Sequence, residues 1–269
     1  MFKITTIIGI IFLTSLNMFC QELITDTSNY EAIYNLDYQR DSTDFASKQN
    51  EKMILLIGQK FSLFESYNNK YNDSLKNVLT KNNSDISITL SKALILSKKS
   101  RHKYRILKNN EKTLVYDSYF SDKFIYEDGD KLNWKITQTT KTISGFNCTL
   151  ASTSFGGRDY EAWFTNEIPI NDGPYKFKGL PGLIIKIEDV LKQYVFELES
   201  FKKSNEVFEF DIKNGIKVSK EDFFKSYNTF KKNFTTQLSQ RGIELDESTS
   251  RETQKRVQKS RNNEIEISY

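Results

Sequence analysis

Side chains able to do chemistry are few in this 269-residue chain, and histidine is the scarcest. The single histidine, His102, lies in the basic run from Lys98 to Lys103. A zinc site with several histidines and a Ser-His-Asp triad would both depend on this one residue. Calcium binding stays open on composition, but no Asp-x-Asp-x-Asp-Gly loop occurs. We therefore predict a solvated surface histidine, no catalytic residue, no metal ligand and no cofactor.

Two carboxylates and a cysteine are the remaining candidates for catalysis. Asp159 and Glu161 are two positions apart, so on a strand they share a face and both could enter a pocket. This spacing keeps a carboxylate-based hydrolase open as an alternative. Cys148 lies on a predicted strand between Phe146 and Leu150. We expect it to be a small buried residue rather than a nucleophile.

A glycine pair precedes the residues that could bind a ligand or a partner. Gly156 and Gly157 predict a turn, and Arg158 directly after them could grip a carboxylate or phosphate in its planar fork. The alternative for this arginine is an ion pair within the chain, with one of three nearby carboxylates: Asp159, Glu161 or Glu167.

Two aromatic residues follow on the same predicted strand. Tyr160 and Trp163 could form part of a ligand platform, although a tryptophan in this setting is also typical of a core position. Arg158, Tyr160 and Trp163 together are the candidate binding residues.

The elements that carry these residues are mainly predicted strands. From Tyr30 to Tyr38 the even positions are apolar or aromatic and the odd ones mainly polar, which predicts a strand with one buried face. Asp128-Gly129 predicts a hairpin turn before a strand at 132–139. No regular strand–helix–strand alternation occurs, which argues against a parallel α/β fold. Further strands are predicted at 53–57, 61–63, 114–119, 124–126, 147–154, 183–187, 194–198 and 208–212.

Two stretches break this strand pattern with helical signals. Ser219 is a good N-cap, and Glu221 and Asp222 follow in the first turn, where the helix dipole favours anions. Apolar residues then recur at helical spacing and predict an amphipathic helix over 220–240 that packs on the sheet. These residues are Phe223, Tyr227, Phe230, Phe234 and Leu238.

The domain organisation follows from composition. A weaker helical pattern over 69–97 predicts an insertion in a single β-rich domain that covers residues 21–240. Residues 241–269 are mostly polar and charged, which predicts a mobile tail.

The first 20 residues are typical of a secretory signal peptide. Lys3 gives a short positive start, and the residues up to Phe19 are mostly apolar. This stretch is short for a membrane span, which needs about 20 apolar residues with charged flanks. A lipid-attachment site at Cys20 is disfavoured, because Asn17 and Phe19 stand where such sites carry leucine and a small residue. We predict cleavage near Cys20 and a periplasmic or secreted protein rather than a lipoprotein or an integral membrane protein.

Charge and cysteine content restrict the class of protein further. Removal of Lys3 with the signal lowers the formal net charge from +4 to +3. This small, interspersed excess gives no case for nucleic-acid binding, which needs a clustered basic face. The mature chain keeps one cysteine, so it cannot form an internal disulfide and must rely on its core.

Proline and glycine residues, which constrain or free the backbone, are concentrated in one short stretch of the chain. All three prolines and three of the eleven glycines lie in or just before the hexapeptide at 179–184. We predict a rigid corner between strands, in which glycines give positive backbone angles or close approach and leucines anchor the turn. A phosphate loop is disfavoured, because the Gly-x-x-x-x-Gly-Lys-Ser/Thr pattern is missing. The predicted structural motif is Gly173, Pro174, Gly179, Leu180, Pro181, Gly182, Leu183 and Ile184.

An ordered string of motifs leads into this hexapeptide and carries a family resemblance. It begins at Trp134-Lys135-Ile136, continues through residues 141–148 and 155–165, and ends in Gly179-Leu180-Pro181-Gly182-Leu183-Ile184. The chain strongly resembles the GLPGLI family of secreted proteins from Gram-negative bacteria over roughly 134–189. The resemblance implies little about activity, since that family has no assigned biochemical function. It implies an association with outer-membrane receptor systems.

These observations predict a mainly β (α+β) fold: a curved antiparallel sheet or half-barrel with a packed C-terminal amphipathic helix. The leading hypothesis is a non-enzymatic envelope protein that carries or binds a small apolar ligand, because the sheet is rich in aromatic residues and lacks a convincing catalytic set. The contrasting hypothesis is a docking module for an outer-membrane receptor.

Overall fold

The computed structural model describes residues 23–82 and 86–268, without the side chains of residues 82, 86 and 88–90. The predicted signal peptide and Cys20 therefore lie outside the described residues. Within the described ranges, no helix is long and apolar enough to cross a membrane.

Within these described residues, thirteen strands form one large open sheet, which confirms the predicted mainly antiparallel β fold with added helices. All the paired strands run antiparallel except the edge pair β13 and β6. The strands are β1 (Leu23–Asp41), β2 (Asp44–Gly58), β3 (Ser62–Ser66), β4 (Arg105–Lys108), β5 (Thr113–Tyr119), β6 (Asp122–Glu127), β7 (Lys135–Ile143), β8 (Phe146–Phe155), β9 (Arg158–Thr165), β10 (Leu183–Asp189), β11 (Tyr194–Lys203), β12 (Val207–Asp211) and β13 (Ile216–Lys217). Their order is β13-β6-β5-β4-β3-β2-β1-β11-β10-β9-β8-β7, and β12 pairs with β1.

Strand β1 lies in the middle of the sheet and separates two cores. Its even positions from Ala32 to Tyr38 are buried in the main core, as the alternation predicted. The hydroxyl of Tyr34 donates to the carbonyl oxygen of Ile184 over 2.8 Å, which joins this strand to the hexapeptide. Ile33 faces the other way, into a smaller core with Phe208 and other residues.

The predicted hairpin at Asp128-Gly129 is wrong. Strand β6, which ends just before it, pairs with β5 and β13, whereas the next strand, β7, pairs with β8 at the opposite edge of the sheet. The Asp-Gly pair turns the chain but does not join the two strands beside it into a hairpin. Each of these strands pairs instead with the neighbour that its buried face fits.

A long corner loop, residues 166–182, joins β9 to β10 and contains most of the predicted structural motif. Leu180, Leu183 and Ile184 are fully buried, as predicted for anchors of the corner. Gly179 has a positive φ of +101°, and a Cβ at Gly182 would lie 2.0 Å from the carbonyl oxygen of Thr165. Both glycine roles expected from the sequence, a left-handed backbone and close approach, therefore occur here.

Helices from the predicted insertion and from the C-terminal part of the chain pack against strands of the sheet. The predicted insertion holds two helices, and the predicted 220–240 helix is broken at Asn233 into two. Ser219 caps the first of these, since its side chain accepts from the N–H of Asp222. The helices are α1 (Tyr67–Asn82), α2 (Ile86–Leu96), α3 (Lys220–Lys232), α4 (Phe234–Gln240) and α5 (Glu247–Ser260).

The predicted mobile tail contains ordered structure. Helix α5 begins after the N-cap Asp246, whose carboxylate accepts from the backbone N–H groups of Ser248 and Thr249. The chain then continues as residues 261–268, here called the C-terminal strap. Three strap residues, Asn263, Ile265 and Glu266, are buried.

Candidate functional site

The strap lies against the glycine turn that precedes β9. The carbonyl oxygen of Gly156 accepts hydrogen bonds from the N–H groups of Ile267 (2.7 Å) and Ser268 (3.1 Å). A Cβ at Gly156 would lie 2.7 Å from the Cγ of Glu266, and one at Gly157 2.6 Å from the Oγ of Ser268. Both glycines also have positive φ, so this turn admits the strap only because it lacks side chains.

Arg158 binds the strap directly. Its Nη2 donates to the side-chain oxygen of Asn263 (2.6 Å) and to the carbonyl oxygen of Glu264 (2.8 Å). Its Nη1 donates to Asp189 (3.0 Å) and to Gln193 (2.9 Å). The predicted ion pair within the chain is therefore present.

The predicted partners of this ion pair were wrong. The guanidinium pairs with Asp189 of β10, and not with Asp159, Glu161 or Glu167. A strand partner 31 residues away could not be read from the local sequence. Because both nitrogens at the tip of Arg158 are occupied, the residue positions the strap and leaves little capacity for a ligand.

The other two candidate binding residues also make contacts inside the protein. Tyr160 is buried, and its hydroxyl donates to the carbonyl oxygen of Ile265 over 3.2 Å. Trp163 is half-buried and packs against the main core. The structure thus brings Arg158 and Tyr160 together on the strap, whereas Trp163 takes the core position that the sequence left as its alternative.

A cluster of buried charges fixes the middle of the strap. Glu266 pairs with Lys176 and, at 2.9 Å, with Lys220, while Asp128 accepts from Lys176 at 2.5 Å and lies 3.0 Å from Lys220. Burial alone would lower the pKa of Lys176, but the charges of Glu266 and Asp128 outweigh it and raise that pKa. Asp130 completes a trio of carboxylates close enough to hold a metal ion, but each of the three already pairs with one or both of the ammonium groups of Lys176 and Lys220.

Tyr175 adds a neutral contact to the same cluster. Its hydroxyl donates to Glu266, and its backbone lies in the left-handed region with φ of +54°. A tyrosine rarely adopts this conformation, so the surrounding contacts must hold it there.

His102 is buried, and the prediction of a solvated surface histidine is wrong. Its side chain is 7% exposed, and its Nδ1 lies 2.9 Å from a carboxylate oxygen of Glu51. The same carboxylate accepts from the hydroxyls of Ser66 and Ser100. Burial would raise the pKa of Glu51, but the contacts to His102 and both serines outweigh it and lower the pKa to about 2.

These elements line a partly open cavity of about 90 Å³ between the sheet, helix α3 and the strap. We call it the tyrosine cavity, because tyrosines form much of its wall. On the same measure one water molecule needs about 10–15 Å³, so the space suits a ligand of a few non-hydrogen atoms. The residues that matter below are Tyr104, Asp117, Tyr126, Tyr227, Arg261 and Glu264.

Asp117 of β5 is the unusual charge in this cavity. Its carboxylate accepts one hydrogen bond, from the backbone N–H of Ser118 at 2.7 Å. Among the described residues, no lysine or arginine forms an ion pair with it. Burial, the largest cause, raises its pKa to about 7, and the nearby negative charge of Glu264 adds to the shift.

Tyr104 is the second unusual residue of this cavity, because of the surroundings of its hydroxyl group. Its side chain is 7% exposed, and in the described part of the chain its hydroxyl has no hydrogen-bond partner. A buried hydroxyl without a partner is costly, since it loses its bonds to water and gains none. The cavity therefore presents one unpartnered hydroxyl and one unpaired carboxylate to whatever fills it.

The residues weighed for catalysis lie elsewhere. Asp159 and Glu161 are both exposed on β9 and do not line the tyrosine cavity. Cys148 is fully buried, as predicted, and burial raises the pKa of its thiol to about 11. A thiol with so high a pKa is a poor nucleophile at neutral pH.

Sequence reasoning missed the residues that matter most in this cavity. Asp117 was hidden inside the run 114–119, which was read as a strand, although a lone carboxylate within a strand pattern is a usable signal. Tyr104 follows the basic run from Lys98 to Lys103 and belongs to no periodic pattern in the sequence. The strap was missed because composition predicts its polarity but not its burial.

The comparisons with known proteins concern the same part of the chain. Residues 156–186 match the model of a family described as "Protein of unknown function (Porph_ging)", which is the GLPGLI family, and this confirms the predicted resemblance over that stretch. The match begins at the glycine turn under the strap and ends in β10, so it includes Arg158, Tyr160 and Lys176. No curated protein matches the sequence.

Among solved structures, the chain is similar to PNGF-II in its P21 crystal form. The sequence identity is 18%, the alignment covers 74% of this chain and 32% of that one, and the TM-score is 0.49. The C2 crystal form of PNGF-II gives 18% identity, coverage of 75% and 32%, and a TM-score of 0.47. The chain thus spans about a third of the length of the chains it matches.

Proposed function

We propose that this chain, which carries the GLPGLI-family segment, is an exported, non-enzymatic envelope protein that binds a small ligand in the tyrosine cavity. The observation that carries the proposal is the Tyr104 hydroxyl, which has no hydrogen-bond partner among the described residues, on the wall of a partly open cavity. The Asp117 carboxylate lines the same cavity, accepts one hydrogen bond and has no ion-pair partner within the described residues. A polar ligand of matching size would provide the hydrogen bonds that both groups lack.

The lining supports a polar ligand over the apolar one predicted from the aromatic content. Most of the phenylalanines of the main core lie outside the cavity wall, which carries Phe223 and Phe224 of α3 together with several tyrosines and charged side chains. An alkane-like ligand would leave Tyr104 and Asp117 without partners, and that would cost free energy.

The strap forms one wall of this site. Arg261, Glu264, Ile265 and Glu266 line the cavity from the strap side, and the strap is held by Arg158, Tyr160 and Lys176 from the family segment. The family segment would therefore act on the ligand indirectly, by fixing the wall of the cavity.

Ligand-observed NMR tests the proposal with a chemically mixed panel of choline, ethanolamine, acetate and glucose. We expect saturation transfer from the protein to at least one compound, and a weaker signal with Tyr104→Phe, which removes only the hydroxyl. Tyr116→Phe, on the same sheet but outside the cavity, is the matched control. No transfer to any compound, or equal transfer with both variants, would contradict the proposal.

A second candidate, a docking module for an outer-membrane receptor, rests on a different observation. Val190, Leu191 and Ile267 are all more than half exposed and border a shallow depression beside Arg158 and Asp159. Exposed apolar side chains gathered around polar ones are typical of a protein contact surface. A photo-crosslinker at position 191 should capture a receptor in native membranes. Position 213 is also exposed but does not border this depression, so a crosslinker there serves as the control.

A further inference from the structure

We infer that the ligand of the tyrosine cavity is a small organic cation with an ammonium group, which lies between Asp117 and the surrounding tyrosine rings. This inference rests on the proposed function, since it names the class of ligand for the same cavity.

One carboxylate that lines the cavity has no positively charged partner among the described residues. Glu266 is paired with Lys176 and Lys220, and Glu264 accepts from the hydroxyl of Tyr227 at 3.0 Å with Arg101 at 3.9 Å. In contrast, Asp117 accepts only from a backbone N–H within the part of the chain that the structure describes. An ammonium group would compensate this charge, and one that carries N–H protons would also donate a hydrogen bond to it.

The cationic side chains near the cavity are already engaged. Arg101 donates to the carbonyl oxygen of Ser260 at 2.7 Å, and Arg261 donates to the hydroxyl of Tyr227 at 2.6 Å. The side chain of Lys103 is exposed. An anionic ligand would therefore compete for guanidinium groups that already donate to oxygens of the protein, whereas a cation would meet the Asp117 carboxylate, which accepts only from a backbone N–H within the described residues.

The aromatic wall supports the same ligand class. Tyr104, Tyr126, Phe223, Phe224 and Tyr227 all line the cavity. The faces of aromatic rings attract cations, and the attraction is stronger where the contact is shielded from water.

The protein's own cations already use rings of this region. The Nζ of Lys176 lies 5.1 Å from the ring centre of Tyr126, and the guanidinium of Arg261 lies 5.9 Å from that of Tyr227. A ligand cation would repeat an interaction that the surrounding side chains already make.

The unpartnered hydroxyl completes the site. The Tyr104 oxygen can accept a hydrogen bond from a primary ammonium group or from a ligand hydroxyl, and its own proton can be donated to a ligand oxygen. An amino alcohol combines both functions in about four to seven non-hydrogen atoms, which is the scale that the cavity volume allows.

Binding of a cation should couple to protonation of Asp117. The pKa of this carboxyl is raised to about 7, so near neutral pH a cation would bind the ionised form and displace its proton. The other charged groups acting on it are Glu264 and Arg261 from the strap and Lys176 from the corner loop. Tyr104 and Tyr126 also face the cavity, but burial raises both of their pKa values further above neutrality.

Isothermal titration calorimetry with choline, ethanolamine and 3,3-dimethylbutan-1-ol tests the inference. The last compound is the neutral carbon isostere of choline, so the pair differs in charge and hardly in shape. We expect the full chain to bind at least one ammonium compound about tenfold or more tighter than the neutral alcohol at pH 8. Affinity should fall as the pH is lowered from 8 to 6.

Two variants make the result specific. Asp117→Asn should abolish the preference for the cation, and Asp37→Asn, which removes an exposed carboxylate from β1, should leave it unchanged. Binding of neither ammonium compound, or equal affinity for choline and its neutral isostere, would overturn the inference. If acetate or glucose alone binds in the NMR panel and the Tyr104→Phe variant weakens it, the cation is wrong while the proposed binding function stands.

Discussion

Arg158 and Asn263, 105 residues apart in the chain, are joined by a hydrogen bond of 2.6 Å between a guanidinium nitrogen and a side-chain oxygen. This contact connects the family segment to the C-terminal strap. Asn263 also donates to the carbonyl oxygen of Gln39, so one amide links β9, β1 and the strap. The strap is therefore part of the folded core and forms a wall of the cavity.

Arg158→Ala and Asn263→Ala should be coupled in their effects on stability. The arginine variant leaves Asp189 buried and unpaired, and we expect a loss of about 3 kcal/mol in the free energy of unfolding. The asparagine variant should cost about 1–2 kcal/mol. In a double-mutant cycle measured by urea unfolding, the double variant should lose less than the sum of the single losses. Strict additivity would show that the two residues act independently.

Glu266→Gln should destabilise the protein by about 3 kcal/mol, because Lys176 and Lys220 lose a shared carboxylate in a buried setting. Glu247→Gln is the matched control, since that side chain is exposed and, in the part of the chain that the structure describes, pairs only with Arg251 one helical turn away. We expect the control to change stability by less than about 0.5 kcal/mol. Equal unfolding midpoints for the two variants would contradict the role assigned to the charge cluster.

Asp117→Asn should stabilise the ligand-free protein at pH 8 but not at pH 4. The pKa of this carboxyl is raised from 3.8 to about 7 on folding, so the folded state holds a proton that the unfolded state has released between these values. Stability contributed by this group is therefore full below about pH 4 and is lost as the pH rises to about 7. The asparagine mimics the neutral acid, and we expect a gain of about 2 kcal/mol at pH 8.

The pH dependence is the deciding observation for that variant. Thermal unfolding of wild type and Asp117→Asn at pH 4, 6 and 8 should show curves that separate as the pH rises. A constant difference at all three values, or a loss of stability at pH 8, would mean that the carboxyl is not held neutral by burial.

Gly182→Ala should cost more than about 3 kcal/mol or prevent folding, because the new Cβ would lie 2.0 Å from the carbonyl oxygen of Thr165 and both backbones are buried. Gly129→Ala is the matched control, since nothing lies within 4 Å of a Cβ there. Chemical unfolding should place the control close to wild type. A mild effect of Gly182→Ala would show that the corner relaxes more easily than its packing indicates.

The sequence predicted those parts of the fold that depend on local periodicity. The alternation from Ala32 to Tyr38 identified the central strand, and the stripe that includes Phe223 and Phe230 identified the helix that packs on the sheet. The glycines at 179 and 182 identified the corner, because positive φ and close approach are backbone requirements that only glycine meets readily.

The parts that depend on distant partners were missed or wrongly predicted. His102 was placed on the surface because its neighbours in sequence are basic, whereas its burial follows from Glu51, 51 residues earlier. The strap has a polar composition that is typical of a tail, but its polar groups meet partners on β1, β9 and the corner loop. Asp117 lies within an ordinary strand pattern, and only the packing of α3 and the strap over it makes it unusual.

Native mass spectrometry on protein purified gently from the cells that make it, compared with the same sample after denaturation, tests the central claim most directly. We predict that the wild-type protein carries an extra mass only in the native spectrum, and that the released compound is a small organic cation with an ammonium group. Tyr104→Phe should lose most of that mass, and Tyr116→Phe should retain it. A bare polypeptide mass in both spectra, with no gain after incubation with choline or ethanolamine, would contradict a ligand-binding role for the tyrosine cavity.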